Sequence, residues 1–140
     1  MKKIIKTHSA DETIKIAEEI TKKLIGKNEN TIIFLEGELG AGKTTFVKGI
    51  ANALKTNETA VSPTFTFIKE YEGILPLYHF DLYRIENPEE LDEIGFLEYI
   101  ERKGIIVIEW AEKVEKIIEP NIKVTIKKTG EKDREICIDE

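Results

Sequence analysis

The sequence predicts an α/β fold: a single domain over residues 1–140, with a central, mixed, mainly parallel sheet flanked by helices and a C-terminal β-hairpin. Three observations support this fold. A glycine-rich loop joins an apolar run to a helical pattern. An unbroken apolar run at residues 105–108, ended by Glu109, is typical of a central parallel strand. Finally, residues 121–128 and 134–138 alternate in polarity about a turn, as in a hairpin.

The first half of the chain is predicted to run strand, helix, strand, helix. Residues 2–7 favour a short strand, and the pair Ser9 and Glu12 matches a capping box. Apolar residues then recur at helical spacing until Gly26, where the helix is expected to end. Residues 31–36 are apolar and β-branched, which favours a strand, and a second amphipathic helical pattern follows them.

The second half begins with a predicted hairpin. Residues 64–71 and 75–83 are rich in β-branched and aromatic side chains and are separated by a Glu-Gly break. Asn87, followed by proline and two acids, favours a helix start. The apolar face of this predicted helix continues across Gly95. Residues 112–118 favour a short helix before a proline.

The glycine-rich loop at residues 37–44 is a complete phosphate-binding motif between a predicted strand and a predicted helix. Its glycines let backbone N–H groups converge on phosphate oxygens, where the helix dipole adds positive potential. Lys43 can reach the β- and γ-phosphates, and the Thr44 hydroxyl is placed to bind Mg²⁺. The motif predicts a P-loop NTPase domain that binds a nucleoside triphosphate with Mg²⁺. The predicted nucleotide-binding residues here are Gly37, Glu38, Leu39, Gly40, Ala41, Gly42, Lys43, Thr44 and Thr45.

A phosphate loop also needs a carboxylate that holds Mg²⁺ or its water shell, and two acids are candidates. Glu109 ends the most apolar predicted strand, and Asp81 is flanked by aromatic residues near the end of another. One acid can bind metal while the other orients the attacking water. The sequence leaves that assignment open, so both are predicted as catalytic and metal-binding residues.

Two further side chains have open roles. Thr64 lies in a hydroxyl-rich segment after the loop helix, where a threonine can sense the γ-phosphate through Mg²⁺; the alternative is an ordinary strand start. His79 is either a general base or, as is more common, a hydrogen-bonded structural residue.

The composition excludes several functions. The net charge is −6, with no long basic run, which argues against direct binding of nucleic acid. The three arginines are few for an enzyme that grips a second phosphorylated substrate. No guanine-recognition element N-K-x-D occurs, so ATP is favoured over GTP. With no signal peptide pattern and no apolar run of roughly 20 residues, we expect a cytoplasmic protein without membrane contact.

Taken together, five segments resemble the bacterial TsaE family, also called YjeE, over nearly the whole chain. They are the phosphate loop with Thr45 and Phe46, the segments Ser62-Pro-Thr-Phe-Thr66, His79-Phe-Asp-Leu-Tyr-Arg84 and Pro88-Glu-Glu-Leu91, and the tripeptide Ile108-Glu-Trp110. They fall in the family order at similar spacing. One departure is Ala111, where many relatives have proline.

The resemblance implies a small ATPase that works with the proteins TsaB and TsaD in forming N6-threonylcarbamoyladenosine (t6A) in tRNA, touching tRNA only through that complex. It implies that Thr44 and Glu109 contact Mg²⁺ and that Asp81 is important for hydrolysis. It also implies that Ala10, Glu112 and Arg134 approach the nucleotide. Without an evident arginine finger, unless Arg84 or Arg134 serves as one, we expect slow hydrolysis by the isolated chain.

Two other functions compete with this one. A small-molecule kinase would need an arginine-bearing lid and an acceptor site, and no segment is long enough for either. A nucleotide-gated binding module with negligible catalysis would use the segments around Thr64 and Asp81 as switches that partners read.

Overall fold

The computed structural model describes residues 1–27, 29–57, 67–87 and 89–140, and its centre is a seven-stranded sheet. The strands are β1 (Lys2–Thr7), β2 (Thr31–Gly37), β3 (Ile68–Tyr71), β4 (Leu77–Asp81), β5 (Ile105–Glu109), β6 (Ile122–Lys128) and β7 (Arg134–Asp139). They lie in the order β1-β7-β6-β2-β5-β4-β3.

The middle of the sheet is parallel and its two edges are antiparallel. Strands β6, β2, β5 and β4 run in one direction, while β3 pairs antiparallel with β4 and β7 pairs antiparallel with β6. Every residue of β5 is buried between β2 and β4, which confirms the predicted central strand. Both predicted hairpins are confirmed as well. The pairing of β1 with β7 joins the two ends of the chain, and no local sequence pattern indicated it.

The helices are α1 (Ala10–Ile25), α2 (Lys43–Leu54), α3 (Glu89–Glu93) and α4 (Phe96–Ile100), followed by a short 3₁₀ helix, Ala111–Lys113. No helix in the described ranges is long and apolar enough to cross a bilayer. At the start of α1, the Glu12 N–H donates to Ser9 Oγ at 3.2 Å. The Glu12 carboxylate accepts from the His8 N–H at 2.8 Å, one residue earlier than in a standard capping box.

Each face of the sheet carries its own apolar core. Helices α1 and α2 cover one face, over residues such as Ile33 and Leu35 of β2 and Val124 of β6. They pack so closely that a Cβ on Gly49 would lie 2.5 Å from the Ile14 carbonyl oxygen, which explains a glycine inside a helix. Helices α3 and α4 cover the other face, where the Phe80 and Phe96 rings meet edge to face.

Two predicted helices differ from the structure. The helix expected to continue across Gly95 is two short helices, because Gly95 adopts a left-handed conformation with φ +71° that ends the first one. The helix expected at residues 112–118 is only the 3₁₀ turn at its start, followed by irregular turns. The strand expected from residue 64 is observed over Ile68–Tyr71, and Thr64 itself lies outside the described residues.

Candidate active site

The phosphate loop connects the end of β2 to the first turn of α2. Gly40 and Gly42 have φ values of +81° and +109°, which side chains with a Cβ rarely adopt. A Cβ on Gly37 would lie 2.7 Å from the Ile126 carbonyl oxygen of β6, so the chain leaves the sheet where only glycine fits. Gly42 caps α2 and accepts the Phe46 N–H at 2.9 Å. The loop therefore wraps the positive end of a 12-residue helix.

Arg134, the first residue of β7, holds this loop through its guanidinium group. Its Nε donates to the Ala41 carbonyl at 2.8 Å, and its Nη2 donates to the Gly40 carbonyl at 3.4 Å. Its Nη1 donates to three carbonyls in the turn at residues 130–133, at 2.9–3.3 Å. The C=O and N–H groups of a trans peptide point in opposite directions. Because the Ala41 carbonyl points toward Arg134, the Gly42 N–H of the same peptide points away from Arg134.

Glu109 is the buried centre of the charged site. One carboxylate oxygen lies 3.6 Å from Lys43 Nζ, and the other lies 2.5 Å from His79 Nε2. The Glu109 side chain is 6% exposed, the Lys43 side chain 11% and the His79 side chain 0%. In such surroundings a carboxylate is stable only when paired, which these two partners accomplish.

Asp81 lies directly beside Glu109 across the parallel β4–β5 pair. Glu109 in turn pairs with Leu35, two residues before Gly37. The carboxyl ends of three neighbouring strands thus bring the two acids to the phosphate loop, as expected for an open α/β sheet. Asp81 is half-buried, and its Oδ1 accepts the Tyr83 N–H at 3.1 Å.

A cleft of about 680 Å³ opens over these groups. That volume falls in the usual range for small-molecule sites. Most of the predicted site residues meet in it, and its walls are formed by Leu39, Gly40, Gly42, Lys43, Thr44, Thr45, Asp81, Tyr83, Glu109, Trp110 and Arg134.

Three of the other predicted residues, Gly37, Ala10 and Glu112, line neighbouring recesses. Ala41 is buried in the loop, and Glu38 is exposed on it. Ala10 lines a recess of about 370 Å³ that shares Gly42, Thr45 and Arg134 with the main cleft. Glu112 lines another of about 290 Å³, shared with Lys43. Neither Ala10 nor Glu112 lines the cleft that holds the two acids.

Tyr83 and Trp110 form an aromatic wall at the cleft. Their ring centroids lie 4.8 Å apart, and Lys43 Nζ lies 5.4 Å from the Trp110 ring centroid. Trp110 takes a left-handed backbone conformation with φ +61°, which is uncommon for a bulky residue and typical of functional sites. Trp110 directly follows Glu109 in the sequence, which alone predicts either a site role or core packing, whereas Tyr83 was not predicted as a site residue. The only local signal for Tyr83 was its position two residues after Asp81.

The donor set fits Mg²⁺. Thr44 offers a hydroxyl at the first turn of α2, and Asp81 and Glu109 offer carboxylates across the cleft; all are hard oxygen ligands. In the described ranges, no three His, Cys, Asp or Glu side chains gather into a metal cage. Mg²⁺ does not require one, because it commonly takes one or two protein ligands and completes its shell with water and phosphate.

The sheet order and the phosphate loop define a protein of the P-loop NTPase type. The model of the family "Threonylcarbamoyl adenosine biosynthesis protein TsaE" matches residues 7–136, and the chain belongs to that family. The predicted family resemblance is thereby confirmed.

Individual proteins of the same family are similar to this chain in sequence and in structure. The tRNA threonylcarbamoyladenosine biosynthesis protein TsaE of Bacillus subtilis is 46% identical over 107 residues, which are 75% of this chain and 66% of that protein. The Treponema pallidum protein of the same name is 40% identical over 111 residues, covering 79% of this chain and 82% of its own. The crystal structure of Bacillus subtilis YdiB superimposes with a TM-score of 0.76 at 36% identity, covering 99% of this chain and 84% of YdiB.

Proposed function

We propose that this chain is a small Mg²⁺-dependent ATPase required for t6A modification of tRNA. It would bind and hydrolyse ATP in the cytoplasm and act on the TsaB–TsaD complex. The observation that carries the proposal is the convergence of the phosphate loop, Lys43 and the two acids in one cleft. Membership of the TsaE family supports the link to t6A formation.

In this proposal the loop binds the phosphates of ATP. Backbone N–H groups between Gly37 and Thr45 and the first turn of α2 supply donors, while Lys43 supplies the charge. Ala10, Glu112 and Arg134 would flank the nucleotide in the adjoining recesses.

The two acids would divide the chemistry. Thr44 and Glu109 would hold Mg²⁺, which neutralises charge on the phosphate oxygens, and Asp81 would orient the attacking water. The surroundings of the two acids differ, as two separate roles would require. Both Glu109 oxygens have close basic partners, whereas Asp81 is half-buried at the cleft wall with an oxygen on a backbone N–H.

The surface around the cleft supports action on a protein partner. Leu39 in the loop is fully exposed, and Tyr83 and Trp110 are 61% and 37% exposed. Exposed apolar residues beside a site are typical of interfaces. An acidic chain with net charge −6 would reach tRNA only through TsaB and TsaD.

The test is ATP turnover measured with and without TsaB–TsaD and tRNA. We expect slow hydrolysis alone and a marked rise with the partners, since completing a site in trans is typically worth about 10³–10⁵ in rate. Lys43→Ala should weaken ATP binding by about 10–150-fold in calorimetry, because a hydrogen bond to a charged group is lost. Equal turnover with and without partners would contradict the proposal, and phosphate transfer to a metabolite would favour a kinase.

A further inference from the structure

We infer that His79 is a positioning residue for Glu109, whose carboxylate it holds through its Nε2–H. The inference rests on the proposed ATPase function and adds a residue to it. Its starting point is the buried contact of 2.5 Å between His79 Nε2 and a Glu109 oxygen.

The strand register explains how the two side chains meet. His79 pairs with Val107 across the β4–β5 ladder, two residues before Glu109, so both side chains lie on the same face of the sheet. Asp81 and Glu109 are paired at the carboxyl ends of β4 and β5, and His79 lies two residues before Asp81 on β4. The Glu109 carboxylate therefore contacts His79 diagonally across the two strands. The buried imidazole packs against the Glu109 carboxylate on its interior side.

The second ring nitrogen indicates the tautomer. His79 Nδ1 is buried and is the one such side-chain nitrogen or oxygen without a hydrogen-bond partner in the described parts of the chain. A proton there would be a buried donor with no acceptor, whereas a proton on Nε2 has the Glu109 carboxylate. The geometry therefore places a proton on Nε2, where the Glu109 carboxylate accepts it.

This contact fixes where the carboxylate points. With one oxygen on His79, the other is held toward Lys43, 3.6 Å away at the cleft. A hydrogen bond behind a metal-binding carboxylate restricts its rotation and is typically worth about 10–100-fold in metal affinity or activity. Without His79, Glu109 is free to turn away from the position that Mg²⁺ and its water shell need.

His79 is not itself a general base in this arrangement. Its side chain has no solvent exposure, its Nε2 is occupied by Glu109, and its Nδ1 faces the protein interior. A general base must come within hydrogen-bond reach of the proton it removes. Between the two roles open for this histidine, the structure favours positioning.

The experiment compares His79→Gln, His79→Leu, Glu109→Gln and the double variant that combines the last two substitutions in the ATPase assay with partners. Glutamine can place a donor where Nε2 lies, so His79→Gln should stay within about threefold of wild type. His79→Leu should lower kcat by about 10–100-fold and raise the Mg²⁺ concentration for half-maximal rate. Tyr78→Phe, on the opposite face of the same strand, is the matched control and should change neither quantity.

The double variant separates positioning from a general loss of stability. If His79 acts through Glu109, adding His79→Leu to Glu109→Gln should cost little more than Glu109→Gln alone. Independent, multiplying losses would overturn the inference, as would an unchanged kcat and Mg²⁺ requirement in His79→Leu.

A measurement on the wild-type chain covers the case in which a variant fails to fold. With only two histidines, ¹⁵N-histidine NMR can identify the ring nitrogens of His79. We expect a protonated Nε2, and an Nε2 without a proton would overturn the inference. An inactive wild-type chain would instead defeat the proposed function, while the tautomer would still decide the role of His79.

Discussion

At the scale of single residues, Arg134 shows how one side chain can hold the phosphate loop in shape. Its guanidinium joins the carbonyls of Gly40 and Ala41 to those of the turn at residues 130–133. A planar fork with five donors suits this task, and a lysine would not reproduce it. In this arrangement Arg134 supports the loop, and a role as an arginine finger would require it to leave these contacts.

Arg134→Gln should therefore weaken binding of both ATP and ADP by roughly tenfold, because the loop loses its preorganised shape. Calorimetry with each nucleotide in the presence of Mg²⁺ measures this. Arg102→Gln is the matched control. Arg102 pairs with Glu70, with 3.5 Å between Nη1 and the carboxylate oxygen, and neither residue belongs to the phosphate loop. A large fall in kcat with unchanged ADP affinity would indicate a finger instead.

At the scale of elements, the turn between β6 and β7 connects the phosphate loop to the start of α1. Arg134 contacts the loop from one side of this turn, and Asp133 contacts His8 from the other at 3.0 Å. The hydrogen bond that Asp133 accepts from His8, followed by the charge of Asp133, raises the pKa of His8 above the ordinary value of 6.5; Glu12 adds to this rise and Lys6 opposes it.

A raised folded-state pKa gives a defined pH dependence. The His8–Asp133 contact should contribute its full stability below the unfolded value of 6.5 and lose it as the pH rises through the higher folded value. His8→Gln should therefore lower the Tm at about pH 5.5 and have little effect at about pH 8.5. Asp133→Asn should remove the same pH-dependent contribution to the Tm. If either variant differed from wild type by the same Tm at both pH values, the His8–Asp133 contact would not be the source of the pH dependence.

At the scale of the whole molecule, the two helical layers leave the carboxyl ends of the parallel strands open. Helices α1 and α2 cover one face and α3 and α4 the other, and the site lies where β2, β4 and β5 end between them. A ligand there contacts segments distant in sequence, such as the loop at residues 37–44 and Asp81. Its binding should stabilise the entire fold.

Mg²⁺ with ADP at a hundredfold excess over Kd should stabilise the chain by about 2.7 kcal/mol, which raises the Tm by several degrees. Thermal unfolding followed by circular dichroism measures the shift. Chelating Mg²⁺ should reduce it, and Lys43→Ala should reduce it by about half or more at the same nucleotide concentration. A full shift in Lys43→Ala would contradict phosphate binding at this loop.

The sequence by itself determined those features whose cause is local. The phosphate loop needs its glycines at fixed spacing, the cap of α1 needs Ser9 beside its first turn, and β5 needs an unbroken apolar run. Local patterns were less reliable where two signals competed. Apolar spacing predicted a helix through Gly95, but the left-handed glycine divided it.

Only the tertiary structure decided which distant residues meet. Arg134 lies 93 residues from Ala41, and His79 lies 30 residues from Glu109, so no sequence window contains either pair. The sheet order places β6 beside β2 and β4 beside β5, and the register then sets which side chains reach each other. Periodicity specifies that a strand forms and which face it buries, whereas its neighbours depend on how the whole chain closes its core.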